Sequence, residues 1–120
     1  MNLEEFEETI AKALDRIPEE FREILERENI RVLAREDVPE PFRRRHKGRL
    51  LFGVFVGVPY NRRSVFDLHL EPTRIEIYKR SFELAFRNRS EMEEQIITTV
   101  IHEIGHYFGF SESELRRRGL

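Results

Sequence analysis

Residues 90–112, S-E-M-E-E-Q-I-I-T-T-V-I-H-E-I-G-H-Y-F-G-F-S-E, decide how the rest of the chain is read. They predict one long helix with a marked start and stop. Ser90 followed by Glu93 is a capping-box pattern, in which each side chain closes a backbone N–H that the first turn leaves free. Ile97, Ile101, Ile104 and Phe108 recur at helical spacing, and Ile96, Val100 and Tyr107 widen the apolar stripe. Gly109 supplies a residue that takes positive φ and ends the helix.

Inside this helix lies His102-Glu103-Ile104-Gly105-His106, the H-E-x-x-H arrangement. Residues four apart on a helix stand one above the other, about 5–6 Å between Cβ atoms. Two imidazoles so placed reach a single Zn²⁺ at ~2.0–2.1 Å each. Glu103 is turned ~100° around the axis from His102, beside the ion rather than on it, where its carboxylate takes a proton from water. A catalytic zinc has three protein ligands and one open position. Gly109 offers a turn and Glu112 is the first acid after it. The candidate metal ligands are therefore His102, His106 and Glu112, and the candidate catalytic base is Glu103.

Chance bears on how much weight the pattern carries. With 4 His and 20 Glu in 120 residues, random order produces some H-E-x-x-H about twice in a hundred. Requiring Gly at 109 and an acid at 112 multiplies that by roughly another hundredth. The longer pattern, H-E-x-x-H-x-x-G-x-x-E, is the one that argues for a metal site rather than two ordinary helical histidines.

At these residues the chain resembles a known group. T-V-I-H-E-I-G-H-Y-F-G-F-S-E (99–112) is similar to the small bacterial zincin-like metallopeptidases, the mini-zincins, which are related by motif to the Asp-zincins. A-L-D-R-I-P-E-E-F (13–21), G-V-F-V-G-V-P (53–59) and R-I-E-I-Y (74–78) also look like that family's helices and strands. The resemblance implies an α+β fold, a minimal zincin-like domain in which a small mixed sheet packs against N-terminal helices and the H-E-x-x-H helix. It implies zinc on His102 and His106, with Glu103 as base. The family's usual Asp falls where this chain has Glu112, one methylene longer. It further implies a hydrolase acting on a peptide or unfolded protein.

Composition sets the outer bounds. At 120 residues the expectation is one domain, 1–120, with a single core. No run of 18 apolar residues occurs, so no membrane partner is expected. The acidic start M-N-L-E-E-F-E-E lacks the basic-then-apolar pattern of a signal peptide. There is no cysteine, hence no disulfide and no thiolate metal site. A cytoplasmic location is the simplest expectation, and a net charge of −2 argues against a nucleic-acid partner.

Upstream, Asn2 with Glu5 predicts a capped first helix whose inner stripe is Leu3, Phe6, Ile10, Ala13, Leu14 and Ile17. Pro18 opens a second helix, with Phe21, Ile24 and Leu25 inward. Asn29 to Arg35 alternates as a half-buried strand. Asp37 to Gly48 reads as a loop, broken by Pro39 and Pro41 and carrying the basic run Arg43-Arg44-Arg45-His46-Lys47. The run has the charge to bind a phosphate or an acidic substrate end, although a solvated loop is the plainer reading.

Leu50 to Val58 predicts a well-buried strand, with Gly53 and Gly57 marking a bulge or close approach of another backbone. Pro59-Tyr60-Asn61 marks a turn, and Val65, Phe66, Leu68 and Leu70 suggest a short strand or an irregular piece around His69. Arg74 to Tyr78 reads as a strand and Ser81 to Arg87 as a short helix. Ser111 with Glu114 is a second capping box, opening a terminal helix and leaving Glu112 free to turn to the metal.

Substrate is expected on an edge strand, either Arg74 to Lys79 or Leu50 to Val56. Tyr60, Tyr78, Tyr107 and His69 are the candidate oxyanion donors. Only eight residues follow Glu112, so a third ligand from a distant downstream helix is not expected, and the site should be open. The alternatives are a non-catalytic zinc-binding interaction domain and a structural domain without metal.

Overall fold

The computed structural model describes residues 1–57 and 73–120. The turn at Pro59-Tyr60-Asn61, the short strand or irregular piece expected at Val65 to Leu70, and the site candidates Tyr60 and His69 lie outside the described residues. In chain order the elements are α1 (Leu3–Arg16), α2 (Glu19–Arg27), β1 (Arg31–Arg35), α3 (Glu40–Arg45), β2 (Gly53–Val56), β3 (Arg74–Tyr78), α4 (Lys79–Ala85), α5 (Arg89–Tyr107) and α6 (Glu112–Arg117). This is the expected α+β arrangement. Among the described residues, no helix is long and apolar enough to cross a membrane.

The sheet is mixed, in the order β1-β3-β2. β1 runs parallel to β3 with Val32 opposite Ile75, and β2 runs antiparallel with Phe55 opposite Ile75. Successive side chains on a strand face opposite ways. Ile75 and Ile77 of β3 join the helical core, while Glu76 and Tyr78 form a buried polar pair on the other face. β3 is paired on both sides, so the expectation that Arg74 to Lys79 offers an edge to substrate is corrected. Among the described residues β2 is the edge beside α5.

α5 is the spine. It packs against α1, β2, β3, α4 and α6, and Ile96, Ile97, Val100, Ile101, Ile104 and Tyr107 are buried as the stripe predicts. Its N-terminus is not where Ser90 placed it. Asn88 is the cap, accepting from the Glu91 N–H at 3.0 Å. The earlier start lets Arg89 pair with Glu5 of α1 at 2.8 Å. α1 keeps its capping box of Asn2 and Glu5 and buries Phe6, Ile10 and Ala13.

Two other expectations change. The loop expected between Asp37 and Gly48 contains α3, because Pro39 stands at the N-cap and Pro41 in the first turn, where a missing N–H costs nothing. The strand expected from Leu50 to Val58 is regular only over Gly53–Val56 and is half-buried. Gly53 does mark a close approach: a Cβ there would lie 2.8 Å from Ile77 Cδ1 and 3.5 Å from Glu103 Cγ.

Candidate metal centre

The last turn of α5 and the first turn of α6 are joined by a turn that its glycine makes possible. Gly109 has φ +88°, its N–H donates to His106 O at 2.9 Å, and the Phe110 N–H donates to Gly105 O at 3.0 Å. This pair of bonds is the Schellman closure of a helix, which reverses the chain within a few residues. Ser111 then caps α6 in a full capping box with Glu114. Glu114 is thus committed to the cap, and Glu112, at the first helical position, faces back toward α5.

There Glu112 meets both histidines. His102 Nδ1 lies 2.8 Å from one carboxylate oxygen and His106 Nε2 lies 2.9 Å from the other. The second ring nitrogen of His102 makes a long 3.4 Å contact to Leu120 O. The three sequence candidates thus stand together, at the end of a groove lined by Phe52, Gly53, Gln95, Thr98 and Thr99. Gln95, Thr98 and Thr99 were not singled out from the sequence, although each lies three to seven residues before His102, on the same helix face.

Glu103 sits one step around the helix, half-buried beneath β2. Burial pushes its carboxyl above the usual value of 4.5. The His106 and His102 rings pull it down, the Glu112 charge pushes it up, and a backbone hydrogen bond from Phe55 lowers it again. A carboxylate raised in this way is a better proton acceptor at neutral pH than an exposed one.

Two imidazoles and a carboxylate are a donor set for catalytic zinc. Ligands at ~2.0–2.1 Å around one ion stand about 3.3 Å apart. Here the carboxylate touches the rings directly, and among the described residues no three such side chains form a ready cage. Glu112 is half exposed, so its side chain has room to draw back by the missing ~0.5 Å. The three side chains converge with the donor chemistry that zinc takes, at hydrogen-bonding rather than coordination distances.

The two described tyrosine candidates, Tyr78 and Tyr107, do not line the groove. Tyr78 is fully buried and donates to Glu76 Oε1 at 3.0 Å. Burial and that carboxylate raise its pKa. Tyr107 is also fully buried, edge-on to Phe55 and Phe108. Both belong to packing rather than to oxyanion stabilisation.

A mixed sheet backed by a helix carrying H-E-x-x-H, with an acid returned to it across a glycine turn, is the layout of a zincin-like domain. The family model described as zincin-like metallopeptidase matches residues 27–120, and the chain belongs to that family. No curated protein sequence matches it. The matched segment begins at the end of α2, so A-L-D-R-I-P-E-E-F (13–21) falls ahead of it.

Proposed function

We propose that the protein is a zinc-dependent peptidase that hydrolyses peptide bonds, with His102, His106 and Glu112 holding the metal and Glu103 as general base. The observation that carries this is Glu112, which crosses from α6 to touch the facing nitrogen of both rings. When bound there, zinc supplies Lewis acidity toward a carbonyl and lowers the pKa of water. Glu103 takes the proton of the attacking water on its carboxylate, and returns it to the amine nitrogen as the C–N bond breaks.

The groove from Gln95 to Glu112 is bounded on one side by α5 and on the other by Leu50, Leu51 and Gly53. An extended peptide lying along β2 gains main-chain hydrogen bonds by strand addition. With about 400 Å³ of space, the groove suits a short or flexible segment rather than a folded protein.

The test is Glu103→Gln. The variant should bind zinc at the wild-type stoichiometry, measured by elemental analysis after chelation and re-addition, yet lose cleavage of a fluorogenic peptide library. A wild type that binds zinc but cleaves no peptide would favour the non-catalytic zinc-binding domain instead.

A further inference from the structure

On the other side of Leu50 and Leu51 lies a second cavity of about 360 Å³, between α3 and α4. Leu50 and Leu51 line both spaces. Two properties set the cavity apart. Leu50 and Leu84 are the exposed large hydrophobics among the described residues, at 45% and 68%, and both line it. Its rim is cationic: Arg43, Lys47, Arg49 and Arg80 surround it, with His46 between them. Asp37 is the one acid lining it, and that carboxylate is held by Arg80 at 2.6 Å. Arg43, Lys47 and Arg49 have no acidic partner among the described residues, whereas neighbouring Arg44 pairs with Glu40.

The geometry points to a substrate subsite for an acidic peptide: a segment carrying an apolar side chain next to a carboxylate, bound in the cavity while the scissile bond lies beside Glu103. This rests on the peptidase reading. Exposed leucines lose water against an apolar side chain, and Arg43 at the end of α3 with Lys47 and Arg49 just after it, without acidic partners among the described residues, favour a carboxylate beside it. Arg43, His46 and Lys47 of the basic run at 43–47 thereby gain a role. Among the described residues the apolar floor bears no Phe, Tyr or Trp for a base to stack on, which argues for a peptide over a single-stranded nucleic acid.

The test compares fluorogenic peptides that share one scissile core and differ in one flank, Glu-Leu, Gln-Leu or Lys-Leu, on the zinc-loaded full chain. The acidic flank should be cleaved with a kcat/KM about tenfold above the lysine flank, an advantage that collapses near 0.5 M salt. The double reversal Lys47→Glu with Arg49→Glu should invert the preference. Both side chains are exposed, and circular dichroism checks the fold. A second readout is anisotropy of a labelled acidic peptide on the full chain carrying Glu103→Gln, with and without the reversal.

Equal cleavage of all three flanks, unmoved by the reversal, overturns the subsite and leaves the peptidase reading standing. No cleavage of any peptide, with the acidic probe still bound and released by the reversal, sinks the peptidase reading and supports an acidic-peptide site. Tighter binding of a single-stranded oligonucleotide than of the acidic probe overturns the proposal.

Discussion

Glu112 and Glu76 are both carboxylates set against nitrogen donors, and their surroundings give them opposite roles. Glu112 is half exposed, with one oxygen on each imidazole, so it is free to move and exchange a ring N–H for a cation. Glu112→Ala should lower zinc affinity by at least about a hundredfold, read by competition with a chromophoric chelator. Glu114→Ala, two residues on, removes only the cap and should leave affinity close to wild type. Equal losses in the two variants would refute the assignment of Glu112.

Glu76, by contrast, is 2% exposed and fixed by Arg35 at 3.2 Å, Arg74 at 2.8 Å and Tyr78 at 3.0 Å. Burial alone would raise its carboxyl, but the hydrogen bonds from Arg74 and Tyr78 and the charges of Arg35 and Arg74 hold it below 4.5. A folded value below the unfolded one adds stability above the unfolded value, and that stability is lost as pH falls through the folded value. Glu76→Gln should therefore cost about 2–3 kcal/mol at neutral pH. It should also flatten the fall in urea-unfolding stability on the acid side of pH 4.5.

At the scale of elements, the site depends on how α6 folds back on α5, and this was only partly legible. The H-E-x-x-H spacing, the Gly109 turn and the Ser111 cap are local patterns, and each is found where its residues place it. Contacts between distant segments leave no such periodic trace. Gly105 is an unspecified position in the motif, yet a Cβ there would lie 2.4 Å from Leu115 Cδ2 of α6. Asn88 and Ser90 both have cap chemistry; Asn88 is the one that caps, and the Arg89 this places in the first turn reaches Glu5, a partner 84 residues away. Leu50 to Phe52 reads as buried strand because apolar runs usually are, but here part of the run lines the groove.

Gly105→Ala separates packing from propensity. Alanine gains up to about 1 kcal/mol inside a helix, while overpacking against Leu115 costs about 1–3 kcal/mol. Global stability should fall by no more than about 2 kcal/mol as the first partly offsets the second. α6 should move outward, carrying Glu112 with it, so zinc affinity should fall well beyond the change in stability. An unaltered zinc affinity would mean that Leu115 yields without moving the helix.

For the whole molecule, the family match starts at residue 27, yet the segment before it packs against the elements that carry the candidate site. α1 packs along α5, and Phe6 lies in the same core as Phe82, ring centroids 6.1 Å apart. α2 acts closer to the chemistry. Phe21 stacks on Phe108 at 4.6 Å and on Phe110 at 5.8 Å, the two aromatics that flank Gly109. Arg118, the C-cap of α6, covers Phe110 at 4.3 Å. The turn that delivers Glu112 is thus clamped from the N-terminal helices as well as from its own glycine. Phe21 was legible as a core residue from its spacing, but its partners were not, because stacking across the fold follows no sequence period.

Comparing two truncations tests whether that clamp matters for function. Phe6→Ala and Phe21→Ala should each cost about 3–5 kcal/mol of stability, since both rings are buried. Measured at a temperature where both variants remain folded, Phe6→Ala should keep zinc affinity near wild type. Phe21→Ala should release zinc faster, because the 108–110 turn loses the ring that holds it against α2. If the two variants lose stability alike and bind zinc alike, Phe21 is core packing only, and the turn is held by Gly109 and Leu115 without help from the residues ahead of the matched segment.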